Sequence, residues 1–333
     1  MPMTRPTEDE LIARYLAPLA VAAGADGLSD DAAALPEGAG ELVVTKDMAI
    51  AGVHFFPDDP PAMIAAKALR TNLSDLAAKG AAPAGFLLGL GLPQDWTEDF
   101  LAAFCEGLAA DIAAYACPLY GGDTVKVPGP LTISITAFGR ARRWVRRRGA
   151  QAGDVVCVTG TIGDGALGLA VRAAERDPAG AARWIGGLTA IDREHLRARY
   201  LLPQPRTALA EAVAAHASAA MDVSDGLAGD LAKLLKVSGV GAHVEADSVP
   251  LSDAARSALA LDPALLRAAF TGGDDYEILL TCRPDAFAPL EAAADAAGVF
   301  FTRIGEVAAD PGLVIRDGQG NTLDLGPGRF EHF

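Results

Sequence analysis

Aspartates that recur beside small or apolar residues are the side chains of this sequence best suited to chemistry. They fall in six short segments, which are Ser29–Ala32, Thr45–Met48, Asn72–Leu76, Gly121–Thr124, Met221–Gly226 and Gly272–Glu277. Carboxylates among such neighbours need partners, because a buried charge without one is costly or is neutralised by protonation. Mg²⁺ prefers oxygen ligands, and a bound ion would both relieve carboxylate repulsion and bridge phosphate oxygens. The pattern therefore favours magnesium-dependent phosphoryl transfer.

Each segment also has an ordinary structural interpretation when it is taken alone, because Asp commonly caps helices and fills turns. Asp225 would cap a helix that begins near Leu227, and Asp123 after two glycines would lie in a turn. Asn72 and Asp75 would belong to a solvated helix face. Spacing alone does not show that the six segments meet in space, so both interpretations are kept.

The bulk properties narrow the class of protein. A length of 333 residues favours two domains, and a net charge of −15 disfavours binding to nucleic acid or to an anionic membrane. The four cysteines are far apart and are interpreted as core residues. The N-terminus has no signal-peptide pattern, and the most apolar stretch, 86–92, is too short to span a bilayer. We therefore expect a soluble cytoplasmic protein.

Hydrophobic periodicity places the acidic segments on a mixture of strands and helices. In the first half it predicts helices over 8–23, 61–79 and 97–116 and strands over 41–45, 84–92 and 131–139. In the second half it predicts helices over 166–175, 206–217 and 227–237 and strands over 154–159, 276–281, 300–304 and 313–315. The polar, Gly-containing passage 149–153 indicates a boundary between domains 1–149 and 150–333.

The usual nucleotide motifs are missing or incomplete. The sequence has no P-loop and no protein-kinase motif set. Residues Gly163–Gly168 match G-x-G-x-x-G after a predicted strand, but the second strand ending in an acid about 20 residues further on does not follow. We interpret these glycines as packing positions, and a nicotinamide-dependent oxidoreductase remains as an alternative.

Two further features allow both a structural and a functional interpretation. The arginine-rich run 140–148 would form a solvated face, or one or two of its arginines would bind a nucleotide phosphate. His54 follows Asp47 by seven residues among apolar neighbours. A lone histidine in that setting has a structural role by default, and substrate contact is the second choice.

Taken in order, the acidic segments resemble the thiamine-monophosphate kinases, within the aminoimidazole-ribonucleotide-synthetase-like superfamily of two-domain ATP enzymes. The resemblance runs from about Asp9 to Phe333, and its most specific pieces are Asp47–His54, Asn72–Ala78, Tyr120–Thr124, Asp222–Leu227 and Gly272–Glu277. One such piece would be a weak signal, but five in order with matching separations make a specific one.

The resemblance implies an α/β (α+β) fold, in which an N-terminal mixed sheet with helices pairs into a dimer barrel and a C-terminal domain forms an α/β sandwich. It implies a homodimer that uses ATP as co-substrate and several Mg²⁺ ions to convert thiamine monophosphate to thiamine diphosphate. The residues that it assigns to Mg²⁺ are Asp30, Thr45, Asp47, Asp75, Asp123, Asp222 and Asp225. Those assigned to ATP are Gly122, Asp123, Arg147 and Ser224, those assigned to thiamine phosphate are His54 and Asp274, and the central catalytic group is Asp47, Asp123 and Asp222.

The sequence departs from the family pattern at three places. Lys46 stands where a small hydroxyl residue is usual, and it could displace a metal or offer its charge to a phosphate. Asp274 stands where Glu is frequent, which shortens the reach to substrate. The aromatic residue expected to cover the thiamine ring has no clear counterpart in 325–328. The alternatives kept are another synthetase of the superfamily, such as aminoimidazole ribonucleotide synthetase, and a non-catalytic cation-binding protein.

Overall fold

The computed structural model describes residues 6–29 and 32–325, and the chain divides into two compact units. The first unit comprises Met1–Leu76 and Ala82–Ala141, and the second comprises Ala77–Ala81 and Arg142–Phe333. The expected boundary after Gly149 lies inside the second unit. The reason is pairing before that point, since Ala220 N donates to Arg146 O at 3.0 Å and Val145 N donates to Lys79 O at 3.1 Å.

The first unit contains a four-stranded mixed sheet in the order β1-β4-β2-β3. Its elements are β1 Glu41–Ile50, α2 Pro61–Ala78, β2 Ala82–Leu92, α3 Glu98–Tyr115, β3 Leu119–Lys126 and β4 Thr132–Ala141, after α1 Glu8–Leu11. β4 pairs antiparallel with β1 and β2, whereas β2 and β3 are parallel. The three strands and two of the helices predicted for this half are confirmed. β3 is an addition, because its glycines had favoured a turn.

The sheet of the first unit has one buried and one exposed face. Along β4, Ile133, Ile135 and Ala137 are buried, while the residues between them are partly accessible. This alternation is the period-two pattern of a strand that covers a core on one side only. On the accessible face of β1, Leu42 and Val44 are about half exposed.

The predicted helix over 8–23 is wrong as a single element. α1 ends at Leu11, a π-helical turn follows over Ile12–Leu16, and 3₁₀ turns occupy Ala17–Leu19 and Ala23–Leu28. Pro18 explains why the helix does not continue to residue 23, because proline has no N–H to donate to the carbonyl of Arg14 and its ring clashes with the preceding turn. Leu11 and Leu19 are nevertheless buried, so the apolar periodicity was a correct signal of burial.

The second unit contains a six-stranded sheet in the order β10-β7-β9-β5-β8-β6. Its strands are β5 Val155–Thr159, β6 Ala217–Asp222, β7 Gly241–Glu245, β8 Ile278–Cys282, β9 Phe301–Ala308 and β10 Gly312–Arg316. Its helices are α4 Asp164–Arg176, α5 Arg183–Gly187, α6 Ala190–Leu201, α7 Ala210–His216, α8 Leu227–Ser238, α9 Asp253–Leu261, α10 Leu265–Thr271 and α11 Phe287–Ala296. All neighbouring strands are antiparallel except β7 and β10. The predicted α/β class is confirmed, and within the described residues no helix has the length and apolar character needed to cross a bilayer.

Replacing Gly168 by Ala is expected to lower the free energy of unfolding by about 1–3 kcal/mol, because the added methyl group overpacks a helix contact. A Cβ atom at Gly168 would lie 2.0 Å from Leu196 O of α6 and 2.9 Å from Tyr200 Cβ. Urea unfolding measures the loss. Gly186→Ala is the matched control, since a Cβ there meets nothing within 4 Å. Equal stability of the two variants would contradict the packing role.

Candidate functional site

The first unit brings together three residues that were predicted to bind Mg²⁺. Thr45 on β1 donates its hydroxyl to Asp75 Oδ2 on α2 at 2.5 Å. Asp47 N donates to Asn72 Oδ1 at 3.1 Å, and Asn72 is fully buried. The side chain of Asn72 therefore fastens α2 to β1 beside the two carboxylates. Among the described residues, no three His, Cys, Asp or Glu side chains form a group that could hold a metal by themselves.

The negative charges of Asp47 and Asp75 suit a site for a bound cation. Burial and the like charge of Asp75 raise the pKa of Asp47 to about 6, and Lys46 opposes the shift, although Asp47 keeps an exposed surface. Two carboxylates and a hydroxyl make an oxygen-only donor set, which suits Mg²⁺ rather than a softer metal. The predicted ligand Asp30 lies outside the described residues.

Asp123 and Lys46 lie on the other side of the sheet from Asp47. Directly opposite residues of paired strands project to the same face. The register sets Asp123 opposite Gly89, Gly89 opposite Ser134, and Ser134 opposite Met48, the neighbour of Asp47. The sheet of the first unit thus does not bring Asp123 to the Thr45–Asp75 pair, and its role as a ligand stays a prediction.

The position of Lys46 answers one question left by the sequence. Its ammonium group donates to Ser134 Oγ on β4, on the accessible face of the sheet. Lys46 therefore stands away from Asp75, and its charge acts on Asp47 only through space.

Gly122 has a backbone reason to be glycine, because a Cβ there would lie 1.8 Å from Leu88 O of the neighbouring strand.

His54 closes the turn that follows β1. Its Nδ1 accepts from Ile50 N at 3.1 Å, and His54 N donates to Ile50 O at 3.0 Å. An Nδ1 that accepts carries no proton, so the neutral ring is protonated on Nε2. This geometry supports the structural interpretation of His54, and its contact with thiamine phosphate stays a prediction.

In the second unit, two of the acidic segments form adjacent loops. Asp274 N donates to Ser224 O at 3.0 Å, Tyr276 N donates to Val223 O at 2.8 Å, and Val223 N donates to Glu277 O at 2.8 Å. The loop after β6 and the loop before β8 are therefore paired by their backbones. Asp222, Ser224, Asp225 and Asp274 consequently lie on one paired structure.

A residue that sequence reasoning missed organises the first of these loops. Asp230, fully buried on α8, accepts from Ser224 N at 3.0 Å and from Asp225 N at 2.8 Å. Lys233 donates to Asp230 Oδ1 at 2.8 Å and to Asp225 Oδ2 at 2.5 Å. Burial raises the pKa of Asp230, while the hydrogen bond from Lys233 opposes that shift. The spacing of Asp230 and Lys233 by three residues on a helix was the available signal.

The glycine motif does not leave a helix N-terminus open for a dinucleotide. Asp275 Oδ2 accepts from Gly163 N at 2.8 Å, and Asp275 Oδ1 accepts from Gly165 N at 2.9 Å. The protein's own carboxylate therefore occupies the position at which a pyrophosphate would bind in a dinucleotide fold. The packing interpretation of Gly163–Gly168 is supported, and the nicotinamide alternative loses its site.

The arginine-rich run has both bound and exposed members. Arg143 donates to Ala214 O at 2.8 Å and to Ala217 O at 2.7 Å, so it holds the end of α7. The guanidinium of Arg146 lies 4.8 Å from the centre of the Trp144 ring. Arg147 is exposed, and its proposed contact with ATP stays a prediction.

A further buried carboxylate, that of Asp164, joins several elements of the second unit. It accepts from the hydroxyl of Thr161 at 2.7 Å and from that of Ser252 at 2.5 Å, and His195 Nε2 lies 3.2 Å from its Oδ2. Burial acts to raise the pKa of Asp164, but the hydrogen bonds from His195, Ser252 and Thr161 outweigh it and lower the pKa. The hydrogen bond to Asp164 raises the pKa of His195.

This pair makes stability depend on pH in a direction that follows from the two shifts. The contribution of His195 is complete below its unfolded pKa of about 6.5 and is lost as pH rises through the raised folded value. That of Asp164 is complete above its unfolded pKa of about 3.9 and is lost as pH falls through the lowered folded value. His195→Gln should therefore cost most stability at about pH 5.5 and least at about pH 8.5, and the loss should stay below about 1 kcal/mol because water screens the imidazole.

Urea unfolding of both proteins at the two pH values measures this difference. Gln keeps a group that can donate to Asp164 but does not titrate, so the comparison isolates the charge. A stability difference between the two proteins that is the same at both pH values would contradict the predicted linkage.

Comparison with known proteins covers both units. Residues 29–141 match the family model of the AIR synthase related protein N-terminal domain, and residues 151–318 match that of its C-terminal domain. The chain is 42% identical to the thiamine-monophosphate kinase of Caulobacter vibrioides over 92% of this chain and 86% of that relative.

Two solved structures are also similar to this chain over most of its length. The thiamine-monophosphate kinase of Stenotrophomonas maltophilia K279a is similar with a TM-score of 0.78 and 40% identity, covering 89% of this chain and 91% of that one. AaThiL complexed with AMPPCP and TMP is similar with a TM-score of 0.77 and 29% identity, covering 91% of each chain.

Proposed function

Because this chain belongs to the thiamine-monophosphate kinase family, we propose that it phosphorylates thiamine monophosphate to thiamine diphosphate at the expense of ATP. The observation that carries the proposal is the match along 92% of the chain to a kinase of that name. The similar AaThiL was solved with AMPPCP and TMP, which supports a site for a nucleotide and a phosphorylated acceptor.

The chemistry of the acceptor sets what the residues must do. A phosphate monoester has a second pKa of about 6, so the attacking oxygen is largely ionised at neutral pH and needs no strong general base. Direct in-line transfer then depends on bringing two polyanions together. Mg²⁺ ions would neutralise the phosphate charges and allow that approach.

The residues of the first unit fit such ions. Asp47 and Asp75 would hold Mg²⁺, and the hydroxyl of Thr45 fixes the orientation of the Asp75 carboxylate. Asp222 and Asp225 would hold Mg²⁺ in the second unit. The ammonium group of Lys233 already donates to Asp225 Oδ2 and balances part of its charge. Asp30 is a further proposed ligand, and Asp123, which projects from the opposite face of the sheet to Asp47, would bind a separate ion.

The remaining roles are proposed from the family pattern. Gly122, Asp123, Arg147 and Ser224 would contact ATP. His54 and Asp274 would contact thiamine monophosphate, and the left-handed backbone of Asp274, with φ of 73°, supports a special placement of that carboxylate.

We also propose a homodimer in the cytoplasm. The accessible face of the first sheet carries Leu42, Val44 and Met48 on β1 and Val125 on β3, each about half exposed. These apolar side chains, which share the face with Lys46 and Asp123, are suited to pack against a second copy. Analytical ultracentrifugation tests this directly, and a mass near the 34.2 kDa of one chain would contradict it.

The decisive experiment incubates purified protein with Mg-ATP and thiamine monophosphate and separates the thiamine species by chromatography. We expect equal amounts of ADP and thiamine diphosphate. Unphosphorylated thiamine as acceptor and addition of EDTA are the controls, and both should abolish the product. ADP without thiamine diphosphate would contradict the proposal and favour another ATP-dependent synthetase of the superfamily.

A further inference from the structure

The loop 272–277 is held in an unfavourable backbone conformation. Asp274 and Tyr276 have φ values of 73° and 53°, and both are non-glycine residues in the left-handed region. Such conformations persist only where the surrounding structure enforces them. The hydroxyl of Tyr276 donates to Asp274 Oδ1 at 3.2 Å, which orients the one carboxylate of the loop that is not buried.

Asp275 provides the first restraint on the loop. Its carboxylate is buried and receives the N–H groups of Gly163 and Gly165 at the start of α4. The approach is close, because a Cβ at Gly165 would lie 2.4 Å from Asp274 C. The loop is therefore fastened directly to the N-terminus of a helix.

Glu277 provides the second restraint and is fully buried. Its carboxylate accepts from the Thr159 hydroxyl at 2.7 Å, from Arg199 Nη2 at 2.9 Å and from Arg206 Nε at 2.7 Å, and Arg206 Nη2 makes a second contact. Gly160 lies so close that a Cβ there would be 2.1 Å from Glu277 Oε1. Three separate segments thus converge on this carboxylate.

Removing these charged groups from water is unfavourable, which argues that the arrangement does not serve mainly to stabilise the fold. The buried Arg199 and the partly buried Arg206 both contact the Glu277 carboxylate, and desolvating charges is often not repaid in stability. Arg199 Nε lies 3.9 Å from Asp164 Oδ2, but Arg199 Nε and Nη1 are buried without a hydrogen-bond partner among the described residues. Arg199 Nη2 also donates to Asp275 O at 3.3 Å, which ties the two restraints together.

The restrained loop 272–277 in turn determines the position of the loop after β6. The backbone hydrogen bonds from Asp274 N and Tyr276 N to Ser224 and Val223 transmit its position. Gly273 permits the contact, since a Cβ there would lie 2.0 Å from Ser224 O. Displacement of the 272–277 loop would therefore displace Ser224 and its neighbours as well.

We propose that Asp275 and Glu277, with Arg199 and Arg206, are positioning residues that hold Asp274 and the 222–226 loop in the geometry needed for phosphoryl transfer. The inference rests on the proposed function for the role of Asp274. It adds residues that touch neither reactant and act through the backbone of the two loops.

Glu277→Gln tests the proposal, because it removes the charge and one acceptor oxygen while keeping the shape. At a temperature where the variant is folded, we expect kcat/KM for thiamine monophosphate to fall at least tenfold. We also expect the amide protons of Asp274 and Tyr276 to exchange with solvent at least tenfold faster. Arg283→Ala is the matched control, since Arg283 makes an exposed pair with Asp285 in the same unit.

Arg206→Lys keeps the charge but loses the two-pronged contact, and it serves where Glu277→Gln does not fold. We expect it to give smaller changes in the same direction. A folded variant with unchanged amide exchange and unchanged kcat/KM would overturn the proposal, even if its melting temperature had fallen. Failure of the wild-type protein to form thiamine diphosphate would contradict the proposed function instead, and the exchange measurement would still test the restraint.

Discussion

Replacing Asp47 by Asn is expected to lower kcat for thiamine diphosphate formation by about 10²–10³-fold, because the transition state would lose part of its charge neutralisation. Asn has the shape of Asp but is a much weaker ligand for Mg²⁺. The backbone of Asp47 would keep its hydrogen bond to Asn72, so the fold should be retained. Turnover at saturating Mg²⁺, with circular dichroism of both proteins, measures the effect.

Asp95→Asn is the control for this prediction, since Asp95 is an exposed aspartate of the first unit outside the acidic segments. It makes the same chemical change and should leave turnover near that of the wild type. A value of kcat for Asp47→Asn equal to that of Asp95→Asn would show that Asp47 holds no ion needed for the reaction.

The sequence predicts elements well where a local pattern and burial agree. β4 alternates Thr and Ser with buried Ile, and the observed strand has that alternation. The end of the first helix was wrong because Pro18 outweighed the apolar periodicity around it. β6 was missed because Ala217–Asp222 has none of the β-branched or aromatic residues typical of strands, and its pairing with β8 determines its conformation.

The candidate site shows which long-range contacts the sequence could not predict. The order and spacing of the acids indicated which segments matter, and Thr45, Asp47 and Asp75 do lie together. Within Gly272–Glu277, however, the sequence could not separate Asp274 from its buried neighbours. Asp275 and Glu277 bind groups that are more than a hundred residues away in the chain, such as Gly163 and Thr159. Those contacts depend on how the second sheet is assembled, which no local pattern reports.

Replacing Asp230 by Ala is expected to lower the free energy of unfolding by about 3 kcal/mol, because two backbone donors and an ammonium group would lose their acceptor. The N–H groups of Ser224 and Asp225 both point to this buried carboxylate, and Lys233 would keep only its contact with Asp225. The loop that carries the proposed ATP and Mg²⁺ ligands would then loosen. Urea unfolding measures the stability, and KM for ATP should rise in parallel.

Asp230→Asn separates the two parts of this effect, because the amide keeps one oxygen acceptor but no charge. Its stability should lie between those of the wild type and Asp230→Ala. Lys233→Met removes only the cation and should leave KM for ATP less affected, since the bonds from Ser224 N and Asp225 N remain. If Asp230→Ala stayed within about 0.5 kcal/mol of the wild type, the buried carboxylate of Asp230 would not hold the loop, which would then be held by its pairing with 272–277 alone.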